Sequence, residues 1–191
     1  MNENNEKNDY RVVKGFISNE ERELLLEKAD YHFSRKEYRV NPAGPHRFVT
    51  RLDKEPQLDD LVKKMTDRVI ETFGLHNYEQ EPVLNKLISR IEPGGFIQKH
   101  IDTLSALEQY AKYQKRVVNM PTNCENFRCN IMVKMDNESA FPLIGEDTVE
   151  ISECDSWGFL PSTIAHGTQL ITGGTRIIFG FGFLVPKDFK L

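Results

Sequence analysis

The stretch DSWGFLPSTIAHGTQLITGGTRIIFGFGFLV, Asp155 to Val185, decides the fold. It holds three strand-like runs, Ser156–Leu160, Thr163–Gly167 and Thr175–Val185. They are rich in β-branched and aromatic residues and are broken by Pro161 and the Gly173-Gly174 pair. Upstream, Val83–Ile91, Phe96–Ile101, Phe127–Met135 and Thr148–Ser152 have the same character. Short strands with turn signals at this spacing predict a sandwich or barrel. Side chains two apart share a face of a strand. Cys129, Ile131, Val133 and Met135 therefore form one apolar face, and Ile177, Phe179, Phe181 and Phe183 another. The opposite faces carry Arg128 and Asn130 on one strand and Arg176, Ile178, Gly180 and Gly182 on the other. Glycines beside an inward arginine are expected to leave room for a ligand.

Before the strands lie two helices. Ser18 and Glu21 make a capping box that opens a run carrying Leu24, Leu25, Ala29 and Phe33. In the second, Leu58, Leu61, Val62, Met65, Val69 and Phe73 recur at three- and four-residue steps, with Gly74 as the stop. Between them, Asn41–Pro56 reads as a loop with a short strand at Phe48–Leu52. Each helix must bury its apolar face, so both are expected to lie on the outer face of one sheet. Thr103–Asn126 interrupts the strands, helical in its first half (Leu104, Leu107, Tyr110, Ala111) and a polar loop thereafter. One domain results: a tail at 1–9, a helical flank at 10–80 and a strand core at 83–186.

The chain has 191 residues, 39% apolar and 28% charged, with a formal net charge of −4. That balance argues against a nucleic-acid partner, and no apolar run approaches the length of a membrane span. Met1–Asp9 lacks the apolar core of a secretion signal, and Cys124, Cys129 and Cys154 form no CxxC pair. A reducing, cytoplasmic setting with incidental thiols is expected.

The chemistry lies in His100, Asp102 and His166. In an extended segment, residues two apart point the same way at about 7 Å spacing, whereas a helix would send them to nearly opposite sides. Pro93-Gly94-Gly95 supplies a turn and Phe96-Ile97 starts such a segment. Two imidazoles and a carboxylate on one face of a divalent ion leave positions open opposite. Zinc accepts the same ligands with one site for water. Arg176, ten residues past His166, tips the choice towards iron. A dicarboxylate cosubstrate chelating the metal at one end needs a bidentate partner at the other.

On these residues the segment Ile91–Pro186 resembles the catalytic core of the iron(II)/2-oxoglutarate dioxygenases. RCNIMV (Arg128–Val133) and the Asp155–Val185 stretch are similar to the aspartyl/asparaginyl β-hydroxylases and their bacterial relatives acting on free proline. The resemblance implies a mainly β fold with flanking helices, a double-stranded β-helix of the jelly-roll, cupin-like kind. It implies that His100, Asp102 and His166 are the catalytic centre and ligate Fe(II). It also implies that Arg176 binds the distal carboxylate of 2-oxoglutarate, and that Arg128 helps hold the cosubstrate. Two residues after Arg128 that group usually has a histidine; here it is Asn130, which cannot titrate. Trp157 matches a frequent aromatic, and a core role fits it equally. The implied reaction consumes O2 and 2-oxoglutarate, yields succinate and carbon dioxide, and hydroxylates an unactivated C–H bond, with ascorbate as the usual reductant in vitro. Halogenating relatives carry a small residue in place of the carboxylate ligand, so Asp102 favours hydroxylation.

Specificity is expected from loops on the site side. Pro45–Asp53 offers His46, Arg47 and Arg51; Thr103–Asn126 offers Tyr110, Tyr113, Lys115 and Arg116. Arg47 or Arg116 is a candidate for a substrate carboxylate, with Asn130 and Trp157 as further candidate substrate contacts. A short chain favours a small-molecule substrate such as a free amino acid. A peptidyl hydroxylase, a cupin-type zinc or manganese enzyme, and a metal-binding module without turnover are the alternatives.

Overall fold

The computed structural model describes residues 9–36, 39–40, 44–52, 60–136 and 141–191. Met1–Asn8, Leu58 and Asp53 lie outside them, so the predicted tail, the first turn of the second helix and one loop acid are not described.

In chain order the elements are β1 (Tyr10–Val13), α1 (Asn19–Ser34), β2 (Arg39–Val40), β3 (Arg47–Arg51), α2 (Asp60–Phe73), β4 (Lys86–Ile91), β5 (Ile97–His100) and α3 (Leu104–Tyr113). There follow β6 (Cys124–Met135), β7 (Pro142–Ile144), β8 (Asp147–Thr148), β9 (Ser156–Phe159), β10 (His166–Thr168) and β11 (Arg176–Pro186). They form a seven-stranded sheet, β1-β9-β6-β11-β4-β3-β2, facing a four-stranded one, β5-β10-β7-β8. Every pairing is antiparallel. The fold is a mainly β jelly roll with flanking helices. No helix among the described residues is long and apolar enough to cross a membrane.

Helix α1 starts at the capping box, with the Ser18 hydroxyl accepting from Glu21 N–H and the Glu21 carboxylate from Ser18 N–H. Leu25, Ala29 and Phe33 are buried, while Leu24 faces out. Helix α2 buries Val62, Met65, Val69 and Phe73, and Gly74 closes it at φ +68°. Both helices pack on the face of the large sheet formed by Cys129, Ile131, Val133, Ile177, Phe179, Phe181 and Phe183.

Met135 does not join that face. Ile177 pairs with Lys134 and Ile178 with Met132, so β6 carries one extra residue at Val133. This bulge turns Met135 to the interior with Ile178 and Ile91. Thr148–Ser152 is a strand only at its start. Val149 and Ile151 are buried between the sheets instead, and the chain then turns at Asp155, whose carboxylate accepts from Ser152 and Gly15 N–H, both at 2.9 Å. The 10–80 flank is not purely helical. Strands β1, β2 and β3 extend both edges of the large sheet.

Glu21 also joins α1 to α2. Arg68 donates to both its oxygens at 2.7 Å and Lys64 approaches to 2.8 Å. The Arg68 hydrogen bonds, opposed by burial and helped by Lys64 and Ser18, bring the Glu21 pKa down to about 2. A depressed carboxylate pKa stabilises above the unfolded value and is lost as pH falls through the folded one. Glu21→Gln should therefore cost about 2 kcal/mol at neutral pH, allowing for partial solvent screening. The deficit should vanish between pH 4.5 and pH 2, as read from urea unfolding across a pH series. A deficit independent of pH would assign Glu21 to packing alone.

Candidate active site

The small sheet brings the two imidazoles together. His166 on β10 pairs directly with His100 on β5, so their side chains share one face as cross-strand neighbours. The ring centroids lie 4.5 Å apart. This closeness depends on Gly167. A Cβ there would lie 2.5 Å from the Ile97 carbonyl oxygen and 3.1 Å from the Lys99 nitrogen. Asp102 stands two residues past the end of β5, where its N–H donates to the Pro161 carbonyl at 2.8 Å. The strand expected over Phe96–Ile101 thus ends at His100, and a backbone bond to the Pro161 loop holds Asp102 beyond it.

The three side chains converge. His100 Nε2 lies 3.3 Å from Asp102 Oδ1, and His166 Nε2 lies 3.5 Å from Asp102 Oδ2. One ligand atom from each fits within 4.8 Å of the others. On the far side of each ring, Nδ1 meets a backbone carbonyl: Gln98 at 2.7 Å for His100 and Ile164 at 3.3 Å for His166. A carbonyl only accepts, so each Nδ1 carries a proton, and Nε2 is the ring atom left to face Asp102 or a metal. Burial opposes ionisation of Asp102, but both imidazoles outweigh it and hold the carboxylate well below its ordinary range. His100 is shifted up, chiefly by Asp102. An anionic carboxylate with two oriented imidazoles is the donor set of a facial divalent-metal site.

The triad opens on a cavity of about 260 Å³ between the sheets. Arg47, Arg128, Asn130, Trp157 and Arg176 line it with apolar side chains of both sheets, and Tyr110 of α3 borders it. Arg176 is 2% exposed, its Nε has no hydrogen-bond partner, and its guanidinium lies 5.6 Å from the centre of the Trp157 ring. No carboxylate among the described residues pairs with it. Burial, reinforced by Arg47, brings its pKa down to about 9.

Arg128 is placed differently. Its Nη1 donates to the Leu84 carbonyl at 2.6 Å, and its Nη2 lies 3.5 Å from Glu81, an acid with no solvent exposure. Glu81 is fixed in turn by the N–H groups of Val83 and Leu84. The sequence carries no mark of this buried acid beyond the apolar run that follows it. Gly182 and Gly180 admit protein rather than ligand. A Cβ at Gly182 would lie 3.2 Å from Arg128 Nη2, and one at Gly180 would lie 2.9 Å from Asn130 Oδ1. Arg116 does not reach the cavity. It braces the preceding loop through the carbonyls of Pro82 at 2.7 Å and Val83 at 3.4 Å. His46, Arg51 and Lys115 are not among the lining residues, and Tyr113 points to solvent.

No protein-family model matches the chain, and no curated protein matches it in sequence. Solved structures do match in shape. A viral collagen prolyl hydroxylase from Paramecium Bursaria Chlorella virus-1, as its 2OG complex, is 15% identical with a TM-score of 0.67 over 93% of this chain and 96% of that one. A prolyl-4-hydroxylase from Pseudomonas putida is 11% identical with a TM-score of 0.64, covering 94% of each chain. HygX from Streptomyces hygroscopicus, with nickel and 2-oxoglutarate bound, is 14% identical with a TM-score of 0.64, over 96% of this chain and 85% of that one. The chain has their fold. At these identities the likeness concerns architecture, and function must be argued from the side chains.

Proposed function

We propose that the chain is an Fe(II)/2-oxoglutarate-dependent hydroxylase of a small substrate such as a free amino acid. The observation that carries this reading is Arg176, a buried guanidinium without an acid, in the same cavity as a His-Asp-His face. An unpaired buried cation is costly, and a ligand carboxylate would relieve it through two charge-assisted hydrogen bonds. A hydrolytic zinc site has no such need.

His100 Nε2, His166 Nε2 and an Asp102 oxygen would hold the iron, and Arg176 the far carboxylate of 2-oxoglutarate. The bound iron and keto acid supply the oxidative decarboxylation that drives C–H hydroxylation. The protein orients both groups, and Val49, Leu87, Phe159 and Ile178 keep the cavity wall dry. Arg128 borders the same space but has an acid beside it, Glu81 at 3.5 Å, although its Nη2 makes no hydrogen bond.

A peptidyl substrate is the second reading, favoured by the prolyl hydroxylases among the structures of like shape. One of these, from Trichoplax adhaerens, is in complex with a hypoxia inducible factor peptide fragment. A cavity of about 260 Å³, just below the usual ligand-pocket range, favours the small substrate. Anaerobic addition of Fe(II) and then 2-oxoglutarate should give a visible charge-transfer band. Aerobic assays with ascorbate should release succinate with amino acids. No band would reject the cosubstrate, and hydroxylation of peptides alone would reject the small substrate.

A further inference from the structure

The cavity carries three guanidiniums, and their surroundings give them different work. Arg128 is matched by Glu81. Arg176 lies against Trp157. Arg47 is the third. Its Nε donates to Ser89 Oγ at 3.1 Å, which fixes the plane of the guanidinium, and no carboxylate among the described residues lies within ion-pair distance of it. Arg47 on β3 and Arg176 on β11 both pair with Ile91, from opposite sides of β4. Two strand spacings, about 10 Å, therefore separate their backbones.

On the function proposed above, both carboxylates of the keto acid are already engaged, one by the metal and one by Arg176. A charge count leaves a remainder. A divalent ion on His100, Asp102 and His166 carries one excess positive charge, and Arg176 and Arg47 add one each, Arg128 being cancelled by Glu81. The dianionic keto acid removes two. One positive charge is left, and it belongs to Arg47. Asp102 attracts the Arg47 guanidinium, but a bound cation takes up that carboxylate. Arg47 is half-buried in a largely apolar cavity, where an unmatched charge is expensive.

We infer that Arg47 is the receptor for a carboxylate of the substrate to be hydroxylated, so the substrate is a small organic acid or amino acid with its acid group free. The two Nη groups, left open by the Nε–Ser89 bond, present a bidentate fork to it. Tyr110 of α3, which shares this end of the cavity, is placed to add a hydroxyl contact. This rests on the proposed cosubstrate, since only then is Arg176 already taken.

Trp157, the chain's single tryptophan, lines the cavity and reports its occupancy by fluorescence without turnover. The protein is loaded with Ni(II) and saturated with 2-oxoglutarate, then titrated with the protein amino acids and, in parallel, their carboxamides. At least one acid should bind about tenfold or more tightly than its amide, the loss expected for a charge-assisted bond. Arg47→Gln should remove that preference, Arg47→Lys should retain part of it, and both should bind 2-oxoglutarate within about threefold of the parent. Equal binding of acid and amide, no binding of any acid, or a preference that survives in Arg47→Gln would overturn the inference. A parent protein that gives no fluorescence response to 2-oxoglutarate would instead overturn the cosubstrate reading.

Discussion

His166→Ala should abolish iron binding and turnover while leaving the fold in place. On the proposed function the imidazole offers one of three donor atoms that converge within 4.8 Å, and the two left could not define a face. Loss of a group that merely orients a metal ligand typically costs about 10–100-fold in affinity; loss of the ligand itself should exceed that. The structural cost is small by comparison. The His166 ring lies tilted against Phe159 at 5.0 Å and against His100 at 4.5 Å, and its backbone pairing with β5 and β7 does not depend on the side chain. About 1–2 kcal/mol of stability is the expected loss. Anaerobic titration with Fe(II) and a thermal melt of the metal-free protein separate the two effects. Unchanged turnover would mean that the metal is held elsewhere.

Chelation offers a parallel check on the same ligand set. Removing the metal from the parent should end succinate release, and Fe(II) should restore it. In His166→Ala the same addition should restore nothing.

The pairing of His100 with Asp102 was legible because its signal is local, whereas His166 joins them only through the pairing of β10 with β5. A two-residue spacing after a Pro-Gly-Gly turn puts His100 and Asp102 on one side of any extended segment. Arg176 lies in a strand whose alternation is plain, so its inward face follows from Ile177, Phe179 and Phe181 facing out to the helices. What could not be read depends on pairing between distant segments. The extra residue at Val133 has no mark of its own in a run of apolar residues, yet it reverses the side on which Met135 lies. Strand β1 is four residues long and is defined by its partner β9. Glu81 looks like any loop acid until β11 and Arg128 close over it. Arg116 and Arg47 are equivalent as loop-flanking cations in sequence. The fold turns one back onto backbone carbonyls and points the other into the cavity.

Arg176→Ala should raise the 2-oxoglutarate requirement far more than it alters iron affinity. Truncating one side of a buried charge pair costs about 2–5 kcal/mol, or roughly thirty- to several-thousand-fold in dissociation constant. Iron affinity measured before the keto acid is added should move by less than about threefold, since Arg176 is not a ligand. Trp157 fluorescence reads the first quantity without turnover, because its ring lines the cavity that the keto acid enters. Equal weakening of metal and keto acid would instead assign Arg176 to the scaffold. Arg176→Met tests the same point from the side of stability. In the ligand-free protein this guanidinium is almost wholly buried with an orphaned Nε, so it should cost folding energy rather than supply it. A methionine of similar reach should make the ligand-free protein about 1–3 kcal/mol more stable, while saturating 2-oxoglutarate with Ni(II) should stabilise the parent and not the variant. A scaffold arginine would show the reverse order, a variant less stable than the parent with or without the keto acid. Stability given up at a position that gains only when a diacid binds is the behaviour of a binding group.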